Sequence, residues 1–372
     1  MKRVSELDTY RGLAAVAIVF FHYSHATPAY AALGYASGVA LELFFVLSGY
    51  LITSIILKYL DGPFLLPFYA RRALRIFPAY FLVVGLFTLI VLLRPGLGSI
   101  HALPWYLTFS QFTPHYWGAP FHELAYYLEP TWSVAVEQQF YIFWPLILWA
   151  FGRRALAPMA IACLVISPLA RMAGYHPWLL LTHADGFAMG GLLAGIIRDS
   201  EAAKATRSLV PGLVALGLTS LGGLVACSIS TGQPFLSQLG GRWAWIHVSL
   251  VSAMFASLLG LTIVFSGSAV LAPLRARWLI YLGTISYGIY LYHLPSLAIS
   301  LFISSRMGLP SPITLCVIAP SITLLAAAIS WRFLEEPILS YSHRFPYGSA
   351  RASRASRVNQ GADPMPGLTA SR

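Results

Sequence analysis

Six ionisable side chains stand inside stretches that are otherwise apolar: His22, His25, Glu42, Glu137, Asp185 and His293. Such a group is costly in hydrocarbon unless it faces a polar cavity or pairs with another, so each marks a candidate site. Histidine beside a carboxylate is the raw material of proton transfer, because neutral imidazole accepts a proton near neutral pH and an acid can fix its tautomer. His22 is accordingly the candidate general base, with Glu137 as the first and Asp185 as the second choice of orienting acid. Glu42 and His293 are candidates to line the same site, although Asp185 and His293 also suit buried pairs that only fix helix packing. His25 and Glu42 are expected near an interface and partly hydrated. His22 and His25 share a helix face at i, i+3, but two histidines without a third ligand make a poor metal centre, and no metal is expected. A second cluster, Arg71, Arg72 and Arg75, offers guanidinium forks of the kind that hold phosphate oxygens, and Arg72 and Arg75 share a helix face. By itself this cluster reads more readily as a set of positive charges anchoring a helix end, and only a wider resemblance would reverse that order.

The elements that must position these groups are long apolar runs. Of 372 residues, 58% are hydrophobic and 10% are charged, against roughly 25% charged residues in soluble domains. The runs are about 20 residues long, which is what a helix needs to cross about 30 Å of hydrocarbon. They predict an all-α, polytopic membrane protein of about ten spans, near 10–28, 37–57, 76–93, 131–151, 155–173, 178–197, 208–228, 244–266, 278–302 and 312–334. Residues 95–130, rich in proline and aromatics, read as a long loop holding a re-entrant or interfacial helix around 103–112.

The net charge of +11 does not point to nucleic acid here, because its distribution follows the membrane. With the N-terminus on the cytoplasmic side, 20 of the 24 Lys and Arg residues fall on that side and only Arg94, Arg171, Arg242 and Arg306 on the other. Both termini are therefore expected to be cytoplasmic. With spans alternating in direction, His22, Glu137, Asp185 and His293 all fall in the outer half of the bilayer, at depths that allow one cavity. Cys163, Cys227 and Cys316 lie in spans without metal-ligand spacing and read as packing or lipid-facing residues. Residues 1–336 are expected to form the membrane domain. Residues 337–372, rich in Ser, Arg, Gly and Pro, are expected to form a disordered basic cytoplasmic tail.

Several blocks are more specific than any composition. LDTYRGLAAVAIVFFHYSH at residues 7–25 is followed by FFVLSGYLI at 44–52 and RRALRIFPAYF at 71–81. TWSVAVEQQFY at 131–141, DGFAMGGLLAG at 185–195 and SYGIYLYHLP at 286–295 complete the series. In content and order they resemble the membrane-bound acyltransferase family 3. The resemblance implies transfer of an acyl group, usually acetyl from acetyl-CoA, to a hydroxyl of a sugar-containing acceptor such as an exopolysaccharide, a lipid-linked saccharide or a cell-surface glycan. It matches the family's membrane histidine to His22, its R-x-x-R pair to Arg72 and Arg75, and its W-S-x-x-x-E glutamate to Glu137. Arg11 and Ser48 fall inside matching blocks and are expected to line the site. Two positions depart from the pattern: Gln138 stands where a second glutamate is common, and Glu42 where aspartate is common.

On this reading His22 takes the acceptor hydroxyl's proton, while Arg71, Arg72 and Arg75 hold the phosphates of acetyl-CoA at the cytoplasmic face. A bacterial inner (plasma) membrane follows from the resemblance, and a homo-oligomer or association with glycan-synthesis machinery is compatible with it. Some family members carry a further extracytoplasmic domain after the last span. None is expected here, so transfer is expected to finish within the membrane domain or with a separate partner. The rival from another class is a proton-coupled transporter of a small polar or glycolipid substrate, since intramembrane His, Glu and Asp also build proton paths.

Overall fold

The computed structural model describes residues 4–24, 39–113, 124, 126–202, 204–232 and 243–348. His25 lies outside the described residues, as do the tail beyond Gly348 and Arg242. Among those described there is no strand. The long helices are α1 (Ser5–Ser24), α2 (Ala40–Tyr59), α3 (Leu65–Leu93), α4 (Trp132–Phe151), α5 (Leu156–Met172), α6 (Ala184–Ala202), α7 (Val210–Thr231) and α8 (Ala244–Val264). After a short α9 (Arg277–Thr284) come α10 (Ser286–Met307) and the continuous helical run α11 (Ser311–Arg344).

Eight of these segments are long and apolar enough to cross a membrane. α1 and α6 are comparable in length but fall short in apolarity, because Glu6, Asp8 and Arg11 interrupt one and Asp185, Arg198, Asp199 and Glu201 the other. The protein is thus an all-α, multi-pass membrane protein, with ten long helices among the described residues where about ten spans were expected. Its outer faces are apolar, with Leu66, Leu93 and Phe333 each more than two-thirds exposed. Polar groups such as Glu42, Asp185 and His293 are buried inside. This inversion is what a bilayer solvent selects.

The tightest helix pair is α2 against α6, and glycine makes it so. A Cβ on Gly49 would stand 2.0 Å from the Phe187 carbonyl oxygen, and one on Gly190 would stand 2.0 Å from that of Val46. Small residues at a crossing let backbones touch where side chains would hold them apart. α1 meets α9 in the same way through Gly12 and Gly283.

Several expected boundaries move. The span expected at 278–302 is broken at Ile285 into α9 and α10, where Ser286 Oγ donates to the Gly283 carbonyl at 2.9 Å. The span expected at 178–197 starts later, at Ala184, after a turn at Leu180–Thr182. α3 begins eleven residues before its expected start at 76, so Arg71, Arg72 and Arg75 lie within the helix rather than ahead of it. In the expected re-entrant stretch only Leu103–Leu107 is α-helical. It is pinned by Tyr80 Oη donating to the Tyr106 carbonyl (3.0 Å) and Gln139 Nε2 donating to that of Phe109 (3.0 Å). Residues 337–348, expected as part of a disordered tail, are structured. Residues up to Arg344 continue helically, and Tyr347 stacks on Tyr59 with ring centroids 4.4 Å apart.

Candidate functional site

The candidate site has two polar centres joined by one helix face. The first is a cavity of about 620 Å³ with His22, Glu42, Glu129, Arg171, His183 and Tyr290 in its wall. His22 occupies the last turn of α1, and its Nδ1 donates to the Ile18 carbonyl four residues back at 2.9 Å. A carbonyl only accepts, so Nδ1 carries the proton and Nε2 is the lone-pair nitrogen of the neutral ring. The neighbouring ring is that of His293, with centroids 4.7 Å apart. Neither proposed orienting acid is hydrogen-bonded to His22: Glu137 and Asp185 are committed elsewhere.

Asp185 is fully buried and paired with Arg171, at 2.7 Å between Oδ2 and Nη2 and 3.2 Å between Oδ1 and Nη1. Ser249 Oγ donates to Oδ2 at 2.6 Å. Arg171 has further contacts to the Thr182 carbonyl (2.5 Å), the Trp245 carbonyl (2.9 Å) and Ser249 Oγ (2.6 Å). All five guanidinium donors are therefore engaged. Arg171, expected only as one of four positive charges on the outer side, is a keystone binding α5, α6 and α8 in the cavity wall. Glu42, expected to be partly hydrated, is only 3% exposed. Its carboxylate lies 2.9 Å from His183 Nδ1 and accepts from Ser252 Oγ at 3.0 Å, held between α2, α8 and the turn that precedes α6. His183 Nε2 donates to the Pro177 carbonyl at 2.6 Å, while its buried Nδ1 faces the Glu42 carboxylate without completing a hydrogen bond among the described residues. Trp132 and Trp178 stack 6.0 Å apart on the same wall.

The second centre gathers arginines. Arg75 is partly buried among the charges of Arg11, Arg72 and Glu335. The Arg72 guanidinium lies over the Tyr141 ring at 5.3 Å, as a cation stacked on an aromatic face. Arg71 points elsewhere: its Nε donates to the Phe345 carbonyl at 2.7 Å and its guanidinium covers Tyr347 at 5.0 Å. The structure thus brings Arg11 to Arg72 and Arg75, and takes Arg71 away from them.

Between the two centres runs one face of α4. Ser133, Glu137 and Tyr141 follow one another at i, i+4 and i+8, so they stack along about 12 Å of helix. Ser133 Oγ pairs with Tyr290 Oη at 2.5 Å on the cavity side. Glu137 Oε1 accepts short hydrogen bonds from both Ser48 Oγ and Tyr141 Oη. Tyr141 then reaches Arg72. Ser48, beside the crossing glycine Gly49, is held there by the α2–α6 contact.

Sequence reasoning reached His22, Glu137, Ser48, Arg11, Arg72 and Arg75 but missed the roles of Arg171, His183, Glu129, Tyr141 and Glu335. The i+4 spacing from Glu137 could have flagged Tyr141. Nothing local marks Arg171 or His183, whose partners lie on other helices.

Multiple apolar helices around an interior of histidines, carboxylates and arginines define an integral membrane protein with a buried polar core. Residues 4–331 match the family described as an acyltransferase domain, and the chain belongs to this acyltransferase family 3. It is 29% identical over 371 aligned residues to the putative peptidoglycan O-acetyltransferase YrhL of Bacillus subtilis (strain 168), covering 91% of this chain and 55% of that one. It is 27% identical to the peptidoglycan O-acetyltransferase OatA of Listeria monocytogenes, covering 91% of this chain and 56% of that one. With the O-acetyltransferase OatA of Staphylococcus aureus (strain NCTC 8325 / PS 47) the identity is 26%, over 89% of this chain and 56% of that one. The chain spans about half the length of these curated relatives. No solved structure matches it.

Proposed function

We propose that this protein is an O-acetyltransferase that moves an acetyl group from an acyl-CoA donor at the cytoplasmic face of a bacterial plasma membrane to a hydroxyl of a cell-envelope glycan. Glycan strands of the peptidoglycan type are the first acceptor to test, because that is what two of the relatives are named for. The observation that carries the reading is the pairing of a histidine-bearing cavity with an arginine cluster, joined along Ser133, Glu137 and Tyr141.

The residues divide the work. Arg11, Arg72 and Arg75 outnumber the neighbouring carboxylates Glu137 and Glu335, so the cluster favours an anion such as the donor's phosphates. His22 Nε2 receives the acceptor hydroxyl's proton as that oxygen bonds to the acyl carbon and the carbon–sulfur bond breaks. The same proton then leaves with the departing thiolate, which restores the neutral base. Tyr290 lines the same cavity, with its hydroxyl donating to the Pro130 carbonyl and accepting from Ser133 Oγ.

The test is purified protein in nanodiscs with radiolabelled acetyl-CoA and isolated peptidoglycan strands, beside a His22→Ala variant shown to be folded. Release of CoA and labelling of glycan that both need His22 are expected. Label crossing the bilayer with nothing acylated would instead identify a transporter.

A further inference from the structure

We propose that Glu129, Trp132 and Trp178 form a subsite for an uncharged pyranose ring of the acceptor glycan. The carboxylate accepts hydrogen bonds from ring hydroxyls, and the indoles cover the apolar C–H face. This deepens the acyltransferase reading above and rests on it for the identity of the ligand as acceptor.

Two independent observations point to a ligand there. Glu129 is a half-buried carboxylate in the wall of the cavity of about 620 Å³, and among the described residues no cation, hydroxyl or amide meets it. Three other interior acids are committed: Asp185 to Arg171 and Ser249, Glu42 to Ser252 beside His183, and Glu137 to Ser48 and Tyr141. A carboxylate drawn partly out of water without donors is costly, so the donors come from whatever fills the cavity. The second observation is the wall beside it. Trp132 and Trp178 lie within 18° of parallel with centroids 6.0 Å apart, an offset that leaves part of each indole face uncovered. Both are only partly buried and both line the same cavity. A pyranose carries hydroxyls around its rim and C–H groups on its faces, so a carboxylate beside an aromatic wall matches it on both counts. The same carboxylate repels a carboxylate or phosphate on the sugar, which selects for uncharged rings.

The subsite is held in place before any ligand arrives. Glu129 sits in the 3₁₀ turn Tyr126–Thr131 that leads into α4. Thr131 Oγ1 donates to the Leu128 carbonyl at 2.6 Å, Gln111 Nε2 donates to the Thr131 carbonyl at 3.1 Å, and Tyr290 Oη donates to the Pro130 carbonyl. Trp178 packs edge-on against Phe112 at 4.7 Å and His176 at 4.9 Å. Such preorganisation lowers the ordering cost of binding. The position also suits an acceptor. Along α1, His22 in this cavity lies eleven residues, or about 16 Å, from Arg11 in the arginine cluster, so sugar and donor phosphates approach from opposite ends of that helix.

The test is equilibrium dialysis of the full chain in nanodiscs, without donor, against two radiolabelled probes. One is the N-acetylglucosamine tetramer, which is uncharged; the other is the galacturonate tetramer, with a carboxylate on every ring. The parent should hold the uncharged tetramer on the order of tenfold more tightly. Glu129→Gln keeps the shape and loses the charge, so the uncharged tetramer should weaken on the order of tenfold while the galacturonate tetramer tightens. Trp178→Ala should weaken the uncharged tetramer on the order of tenfold. Thermal unfolding confirms the fold of each variant, and in turnover the KM for glycan should rise while that for acetyl-CoA stays.

A parent that binds the uncharged tetramer no better than the charged one, or a Glu129→Gln variant in which the two probes do not shift in opposite directions, would overturn the inference. Discriminating binding by a parent that releases no CoA would refute the acyltransferase reading and leave a sugar subsite standing. CoA release on peptidoglycan strands that is indifferent to Glu129 and Trp178 would refute the subsite alone.

Discussion

Replacing Arg171 by leucine should be among the most damaging single changes in this protein, and the reason is the carboxylate left behind. Asp185 is fully buried, and its two oxygens rest on Arg171, on Ser249 and on the Gly186 amide. Removing one partner of a buried ion pair typically costs about 3–5 kcal/mol, because the remaining charge stays uncompensated. The same change strips the Thr182 and Trp245 carbonyls of their donors. Replacing both partners, as Arg171→Leu with Asp185→Leu, removes the orphaned charge. The double variant should therefore be more stable than the sum of the two single losses by about 1–3 kcal/mol. Reversible unfolding by SDS in mixed micelles, followed by circular dichroism, measures all four corners of the cycle. Activity normalised to folded protein should fall only modestly in Asp185→Asn. An Arg171→Leu variant as stable as the parent would refute the keystone assignment. So would an Asp185→Asn variant with undiminished stability and abolished turnover, which would return Asp185 to the chemistry.

The other expectations concern packing, the α4 stripe and the arginines. Gly49→Val drives a side chain into the Phe187 carbonyl, so a loss of ~3 kcal/mol or more, or failure to accumulate in the membrane, is expected from expression and unfolding measurements. Gly85→Ala, where a Cβ meets nothing within 4 Å, should be harmless in the same assays. Tyr141→Phe combined with Ser48→Ala takes both short hydrogen bonds from Glu137 and should lower kcat on the order of tenfold to a hundredfold in steady-state CoA release. An unchanged kcat would remove the stripe from the mechanism. Arg72→Gln and Arg75→Gln should each raise the KM for acetyl-CoA on the order of tenfold or more. Arg71→Gln should change it far less, since Arg71 is occupied by Phe345 and Tyr347. Equal effects at all three arginines would contradict that division.

What the sequence determined by itself was the solvent and the scaffold. Runs of about 20 apolar residues leave a chain no stable course but a bundle of spanning helices, since backbone groups in hydrocarbon must satisfy each other. The ordered blocks from Leu7 to Pro295 were specific enough to give the family. Ionisable residues stranded in those runs announced His22, Glu137, Asp185 and His293 as interior groups, because nothing else justifies their cost in lipid. Periodicity also placed Arg72 and Arg75 on one helix face. Which of these groups meet was decided only by the tertiary structure. Asp185 belongs to Arg171, Glu42 to His183, Glu137 to Ser48 and Tyr141, and His22 lies beside His293 from the far end of the chain. Such pairings depend on helix crossings set by a few glycine contacts, such as Gly49 on Phe187 and Gly12 on Gly283, and on rotations about each helix axis. Helical periodicity says which residues share a face. It carries no term for which other helix that face will meet.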